Sequence, residues 1–289
     1  MSQNSPLDRE VHQVGDEISA HFYESFELEP ANTARQLDDV LALRYQVYCL
    51  DRPFEDPSCF PDKRERDRYD GRSVHALVRH RHTGEAIATV RLVLSRPELG
   101  QGRFPMEVPC ISAFDSKARH ALLSVPRDKV AELSRFAISR DFRRRLGELD
   151  SPSGASDRIN YEDPELAGKR AMPYITLGLF ANIVRLSVEN GVTHWIAVME
   201  PALLRLLRRF GIVFTHVGEL VDYHGRRKPV LADMAVLLAG IRRDRPDVWA
   251  FITDSGRYVS SAPARQEAKQ EPRRDATSSL SRFPGVHSR

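Results

Sequence analysis

A glutamate and an arginine lie three residues apart inside an apolar segment. Such a pair could act as a general base and an anion-binding group. The segment Val130–Ile138 reads VAELSRFAI and carries Glu132 and Arg135. Its apolar and β-branched residues follow a Pro-Arg-Asp turn signal and predict a strand. Because successive side chains on a strand point to opposite faces, the two charges share a face only if a bulge re-aims one of them, and bulges recur beside active sites. The alternative is an edge strand with one charge reaching to water.

Two arginines occupy positions that call for a partner. Arg91 interrupts the apolar run Ala86–Leu94, and a charge in mid-strand needs a carboxylate partner or a cleft. Arg44 and Tyr48 lie four residues apart on a predicted helix, so they share a face. For Arg44 alone, a solvated position on a surface helix is the alternative.

Two aspartates close a charged loop at residues 51–72. This loop is long for a connection inside a compact domain, and such loops are usually functional or disordered. Asp67 and Asp70 flank Tyr69 at its end. We expect them to pair with Arg44 and Arg91, which would fix the loop over the site.

The hydrophobic pattern predicts the framework that must position these residues. A hairpin comes first and an alternation of helices and strands follows it, which argues for an α/β fold with a mixed sheet. The predicted elements are a first strand or arm near Phe22–Phe26, a capped helix from Asn32 or Thr33 to about Cys49, strands at 73–79, 86–94, 130–138, 193–198, 212–214 and 230–238, and helices at 173–189 and 201–210. Residues 96–126 are predicted to be irregular.

The charge distribution separates a folded part from a tail. The 289 residues carry a net charge of +3, but residues 257–289 contain seven Lys/Arg and three Asp/Glu, a net +4, so residues 1–256 sit near −1. The folded part therefore has no charge bias towards nucleic acid. We predict a flexible segment at 1–20, one domain at 21–256 and a disordered basic tail at 257–289. Residues 150–168 look like an inserted mobile loop.

The cysteines indicate a reducing compartment. Cys49, Cys59 and Cys110 are odd in number and widely spaced, so we expect free thiols in the cytoplasm and no metal site. None has a nearby His that would make it a nucleophile. No apolar run reaches the roughly 18 residues of a membrane helix, and the N-terminus lacks the layout of a signal peptide.

Four motifs, taken in order, carry a resemblance to a known family. They are Arg44-Tyr-Gln-Val-Tyr48, Asp67-Arg-Tyr-Asp70, Ala88-Thr-Val-Arg91-Leu and Glu132-Leu-Ser-Arg135-Phe. Over about residues 30–240 the chain resembles the acyl-homoserine-lactone synthases and the N-acyl amino acid synthases. The opening Arg44–Cys49 and the later Phe54-Glu55 favour the branch of acyltransferases associated with PEP-CTERM/exosortase systems.

The resemblance implies a GNAT-like acyltransferase fold, with a mixed central sheet that is splayed open near the central strand and flanked by helices. It implies an N-acyltransferase that moves a fatty acyl chain from a thioester to the amino group of an amino acid or similar small-molecule amine, with no permanently bound cofactor. Glu132 would take a proton from the amine, and Arg135 and Arg91 would orient Glu132 or hold a substrate carboxylate. The residues expected to bind substrate are Arg44, Tyr48, Phe54, Asp67 and Asp70.

The expected donor loop departs from the family pattern. Arg143, Arg144 and Arg145 precede Gly147 where the GNAT loop usually has glycines, and a backbone without glycine approaches a pyrophosphate less closely. This leaves room for an acyl carrier protein, whose acidic surface would meet these arginines and Arg208 and Arg209. Acyl-ACP and acyl-CoA are both retained as co-substrates, and a solvated basic face is the alternative for the arginine runs.

Two other functions remain open. One is an acyl-homoserine-lactone synthase that uses S-adenosylmethionine; the longer chain, the 150–168 loop and the exosortase-type opening argue against it. The other is a catalytically silent module that binds acyl chains or a carrier protein. The set of Arg91, Glu132 and Arg135 argues against that module.

Overall fold

The computed structural model describes residues 18–145 and 171–259, and these residues form a sheet with helices on both faces. Its strands are β1 (Phe26–Pro30), β2 (Ser73–His80), β3 (Ala86–Leu94), β4 (Val130–Ile138), β5 (His194–Met199), β6 (Thr215–His216), β7 (Val221–Asp222) and β8 (Arg226–Asp233). The helices are α1 (18–25), α2 (Ala34–Tyr45), α3 (Glu107–Cys110), α4 (Ser116–Ser124), α5 (Arg140–Arg145), α6 (Ala171–Glu189), α7 (Pro201–Arg209), α8 (Met234–Asp244) and α9 (Pro246–Thr253).

The sheet is mixed and opens at its centre. Its strand order is β1-β2-β3-β4-β5-β8-β6, with β7 paired to β8. Neighbours are antiparallel except β4 and β5, which run parallel. That parallel pairing covers only Val130–Glu132 against His194–Ile196, although both strands continue beyond it. The sheet therefore splays open beyond Glu132, as the sequence motifs predict.

Helix α6 forms the main layer on one face of the sheet. Its residues are apolar on nearly every side, and most are buried between β1–β3 and α9. A helix that is apolar all round is expected in such a position. The amide of Asn182 anchors α6 to the sheet, because its Nδ2 donates to the Leu77 carbonyl oxygen at 3.0 Å.

Helix α2 covers the other face of the sheet, against β2, β3 and β4. Thr33 caps it, and Gln36 completes a capping box with the Thr33 backbone, a pairing that satisfies the first free N–H groups of a helix. Beyond Tyr45 the helix widens into a π-helical turn, Gln46–Asp51. This turn carries Tyr48 into the buried layer beside Arg44.

The central elements lie where the sequence predicts them, and the peripheral ones differ. The strand predicted at 230–238 ends at Asp233, where the Asp233 side chain caps α8 by accepting from the backbone N–H groups of Ala235 and Val236. The region 96–126 contains α3 and α4 rather than irregular chain alone. The strand predicted at 212–214 is displaced to β6. Residues 18–20, predicted to be flexible, are helical.

Several predictions lie outside the described residues. These are the flexible segment up to residue 17, the inserted loop at 150–168 and the tail from residue 260. Within 18–145 and 171–259, no helix combines the length and the apolar character needed to cross a membrane.

Two helical glycines give a matched test of the packing. An added Cβ at Gly178 in α6 would come within 2.6 Å of the buried Phe22 ring, whereas one at Gly240 in α8 meets nothing within 4 Å. We expect Gly178→Ala to lower the free energy of unfolding by about 1–3 kcal/mol, because overpacking forces the ring to move. Gly240→Ala should raise it by up to about 1 kcal/mol through helix propensity. Urea unfolding of both variants measures this, and a stabilised Gly178→Ala would contradict the packing described.

Candidate active site

A bulge in β4 brings the charges at 132 and 135 towards one place. Arg91 of β3 pairs with Ser134 of β4, and Thr89 pairs with Ala137. Between these two pairs β3 has one residue, Val90, whereas β4 has two, Arg135 and Phe136. Arg135 lies in this interval with a φ of 50°, a left-handed conformation that is uncommon for a residue with a side chain. The predicted bulge is therefore present, and it re-aims Arg135.

A cavity lies where β4 and β5 separate. It has a volume of about 50 Å³. Its lining residues are Tyr48, Arg91, Pro105, Glu132, Leu133, Ser134, Arg135, Val198, Tyr223, His224 and Arg227. The structure thus places Glu132, Arg91 and Arg135 around a single cavity, and Tyr48 with them.

Glu132 is the carboxylate that faces this cavity, and it is only 2% exposed. Its Oε2 accepts a hydrogen bond from the Met106 backbone N–H at 2.9 Å. Burial raises the pKa of Glu132 to about 8, because the loss of hydration outweighs that hydrogen bond and the attraction of Arg91 and Arg135. A pKa near the working pH suits a group that accepts and returns a proton.

Behind the cavity, Glu65 joins the buried Arg44 to the partly buried Arg135. Its Oε2 accepts from Arg44 Nε at 2.5 Å, and its Oε1 accepts from Arg135 Nη2 at 2.9 Å. Burial alone would raise the pKa of Glu65, but the two guanidinium groups lower it to about 2. Glu65 is therefore ionised at neutral pH and, together with Asp70, Asp67 and Glu55, neutralises the positive charge of these arginines.

Asp67 and Asp70 pair with Arg91 and Arg44, as the sequence predicts. Arg91 Nη1 donates to Asp67 Oδ1 at 2.8 Å and to Asp70 Oδ1 at 2.9 Å. Arg44 makes two bonds to the Asp70 carboxylate, at 2.7 and 3.2 Å. The pKa of Asp70 is held well below its usual range, since these arginines overcome the effect of burial.

His75 lies beside this cluster on β2. Its Nε2 is 3.6 Å from Asp70 Oδ1. Burial, and then the charge of Arg44, lowers the pKa of His75 to about 3. The ring is therefore neutral and adds no further cation to the cluster.

Two aromatic residues connect the loop to the cavity. The Arg135 guanidinium lies 5.1 Å from the centre of the Tyr48 ring, within the range of a cation–π contact. The Phe54 ring centre is 6.4 Å from that of Tyr48 and 5.2 Å from that of His224. Phe54 thus lies at the rim of the site and does not line the cavity.

Some predicted roles need correction. Arg44, Asp67 and Asp70 do not line the cavity, because their charged groups are engaged with one another and with Arg91 behind it. Arg143, predicted to face a carrier protein, is fully buried; it forms an ion pair with Asp51, and its Nε donates to the Ile138 carbonyl oxygen at 3.0 Å. A buried guanidinium cannot meet an acidic surface. The side chains of Arg144 and Arg145 lie outside the described part of the structure.

The sequence patterns missed several residues of the site. Glu65 stands in the run Lys63-Arg64-Glu65-Arg66, which looks like a solvated charged loop. Tyr223, His224 and Arg227 come from a distant hairpin, and Arg227 belongs to the basic run Arg226-Arg227-Lys228. The order of motifs pointed to Asp67 and Asp70, but only the three-dimensional arrangement distinguishes Glu65 and Arg227 from their exposed neighbours.

A comparison with protein families gives one match in this part of the chain. Residues 43–149 match the family described as "Acetyltransferase (GNAT) domain". This range contains the cluster around Glu65, the bulge and Glu132. Together with the open mixed sheet flanked by helices, the match gives the GNAT-like acyltransferase fold that the motifs predict. A comparison with curated proteins gave no match.

Solved structures also show similarity to this chain. TofI, in a ternary complex with an inhibitor and MTA, is 22% identical, with 77% of this chain and 98% of TofI covered and a TM-score of 0.49. The AHL synthase LasI is 16% identical, with 74% and 94% covered and a TM-score of 0.47. FeeM, an N-acyl amino acid synthase from uncultured soil microbes, is 12% identical, with 74% and 95% covered and a TM-score of 0.45.

The raised pKa of Glu132 predicts a pH-dependent stability difference. Its pKa rises from 4.5 to about 8 on folding, so native Glu132 keeps its proton where the unfolded chain has lost it. The contribution of Glu132 to the free energy of unfolding is therefore complete below pH 4.5, and it is lost as the pH rises from 4.5 through 8. Glu132→Gln does not titrate, so its stability relative to wild type should grow across this window, by up to about 1.4 kcal/mol per pH unit. Urea unfolding at several pH values measures this, and a constant difference would show that Glu132 is not buried as described.

Removal of Glu65 should destabilise the protein far more than removal of an exposed partner. Glu65→Gln leaves Arg44 and Arg135 without their shared carboxylate, and breaking a buried ion pair costs about 3–5 kcal/mol. The matched control is Asp38→Asn, whose carboxylate pairs with the exposed Arg64 at 2.7 Å and should have no detectable effect. Thermal unfolding compares the two, and equal losses would mean that the buried cluster is not structural.

Proposed function

We propose that the protein is an N-acyltransferase, which moves a fatty acyl chain from a thioester donor to the amino group of an amino acid or similar amine. One observation carries the proposal. Glu132, with a pKa of about 8, faces the same small cavity as Arg91 and Arg135. That cavity lies at the opening between β4 and β5.

The proposed reaction requires two proton transfers and one exchange of bonds. Glu132 takes a proton from the acceptor ammonium, directly or through water, and leaves a neutral amine. The amine nitrogen attacks the thioester carbonyl carbon, so that the C–N bond forms and the C–S bond breaks. The attacking nitrogen then loses its second proton, which passes to the departing thiolate, and the products are an amide and a free thiol. No side chain forms a covalent intermediate.

Arg91 and the bulge supply groups that could stabilise the oxyanion. Arg91 is fully buried, and its Nη2 has no hydrogen-bond partner among the described residues. Its Nε and Nη1 are held by Ser134, Asp67 and Asp70. Because this donor is already held in place, it needs little reorganisation when negative charge develops on the thioester oxygen. The bulge also interrupts the one-to-one pairing of β4 with β3. Backbone N–H groups that are left unpaired in this way can donate to the oxyanion as well.

For the acyl donor we propose an acyl carrier protein, with acyl-CoA as the second candidate. The burial of Arg143 removes one arginine from the predicted docking surface. Arg208 and Arg209 at the end of α7 are exposed and suit an acidic partner. Association with an exosortase system is part of the proposal, and it rests on the sequence motifs of residues 44–55.

Mass spectrometry of lipid extracts from cells that overexpress the protein tests the reaction class. A new N-acyl amino acid supports the proposal. An acyl lactone would instead identify a homoserine-lactone synthase. If no new lipid appears, and the purified protein binds acyl-ACP without turnover, the protein is a binding module and the proposal is wrong.

Loss of the base should reduce turnover while leaving the fold intact. Glu132→Gln keeps the shape of the side chain and removes the proton acceptor, so turnover should fall about 10²- to 10⁴-fold. Arg135→Lys should also reduce turnover, because lysine lacks the planar fork that contacts Glu65. Glu27→Gln on the exposed side of β1 is the matched control. Single-turnover assays with an acyl thioester measure the rates, and full activity of Glu132→Gln would exclude this mechanism.

A further inference from the structure

One wall of the cavity comes from the hairpin of β7 and β8. The register of this hairpin pairs Val221 with Arg227, and its turn places His224 at φ 51° and Gly225 at φ 90°. Both values lie in the left-handed region, which glycine adopts readily and other residues seldom do. The turn presents Tyr223 and His224 to the cavity, together with Arg227 at the start of β8.

The arginines around the cavity differ in how fully they are neutralised. Arg91 and Arg135, with Arg44 behind them, face four carboxylates. These are Glu55, Glu65, Asp67 and Asp70. The guanidinium groups of this cluster are therefore already matched by protein anions.

Arg227 has weaker contacts than the arginines of the cluster. Its Nη2 is 3.4 Å from Glu200 Oε1, and its Nε donates to the His224 carbonyl oxygen at 3.2 Å. Both are long for a charge-assisted bond, which is usually about 2.7–2.9 Å. Its Nη1 has no hydrogen-bond acceptor among residues 18–145 and 171–259. Arg227 is partly buried, with a side-chain exposure of 17%, so it can bind an anion that enters the cavity.

We propose that Arg227 binds the α-carboxylate of the acceptor amino acid and so selects amino acids over neutral amines. The inference rests on the proposed function. An α-amino acid carries its carboxylate one carbon away from the reacting nitrogen, and Glu132 and Arg227 line the same cavity. The amine can therefore face Glu132 while the carboxylate lies against the guanidinium.

A comparison of acids with their amides tests this role. Acylation of a panel of amino acids is measured against that of the same amino acids as α-carboxamides, which lack the negative charge. In the wild-type protein kcat/KM should favour the acid about 10- to 100-fold, the scale of one charge-assisted hydrogen-bonded pair. In Arg227→Met the KM for the acid should rise by that factor, so that the preference disappears.

Two more variants separate recognition from folding. Arg226→Met removes an exposed neighbour of the same type and should keep the preference for the acid. Arg227→Lys retains the charge without the fork and should retain part of the preference. If Arg227→Met unfolds, Arg227→Lys still gives the comparison of acid with amide.

The outcomes are distinguishable. Equal acylation of acids and amides by the wild-type protein would overturn the role of Arg227 and leave the proposed function intact. The same holds if the preference persists in Arg227→Met. Acylation of neither class would overturn the proposed function, and this inference with it.

Discussion

The buried ion-pair cluster of Arg44, Arg91 and Arg135 with Glu65 and its neighbouring aspartates is the constraint on which the site depends. Arginine keeps its charge at any physiological pH, so a buried guanidinium must have an anion beside it or the fold loses several kcal/mol. Here the anions come from the loop at residues 51–72, while the cations come from α2, β3 and the bulge of β4. The loop has little regular structure of its own, and the cluster is what fixes it against the sheet.

The same arrangement gives two glutamates opposite properties. Glu65 lies between two guanidinium groups and its pKa falls to about 2, whereas Glu132 lies a short distance away without a direct ion pair and its pKa rises to about 8. Identical side chains thus become a permanent anion and a proton acceptor, because the arginines are already neutralised by other carboxylates. Active sites commonly separate pKa values in this way.

The sequence predicted those parts of the fold and of the site that follow from the local pattern of residues. The period of the apolar residues predicted β3, β4 and α6, and the odd spacing of Glu132 and Arg135 predicted the bulge. Local pattern could not separate Glu65 or Arg227 from charged neighbours, because burial of a single member of a charged run depends on contacts made by distant segments. Strand β8 was predicted too long for a related reason: the short apolar run at Leu237 and Leu238 does not distinguish a buried strand from a helix, and the Asp233 cap begins a helix there.

The separation of β4 from β5 also leaves an open strand edge in the sheet. Beyond Glu132, β4 has no strand partner on its β5 side among the described residues, and an open strand edge can pair with another polypeptide. Proteins protect such edges with bulges and inward-pointing charges. The bulge and the Arg135 side chain place both devices on this part of β4. The distortion that assembles the cavity therefore also makes the open edge of β4 a poor template for intermolecular β-sheet.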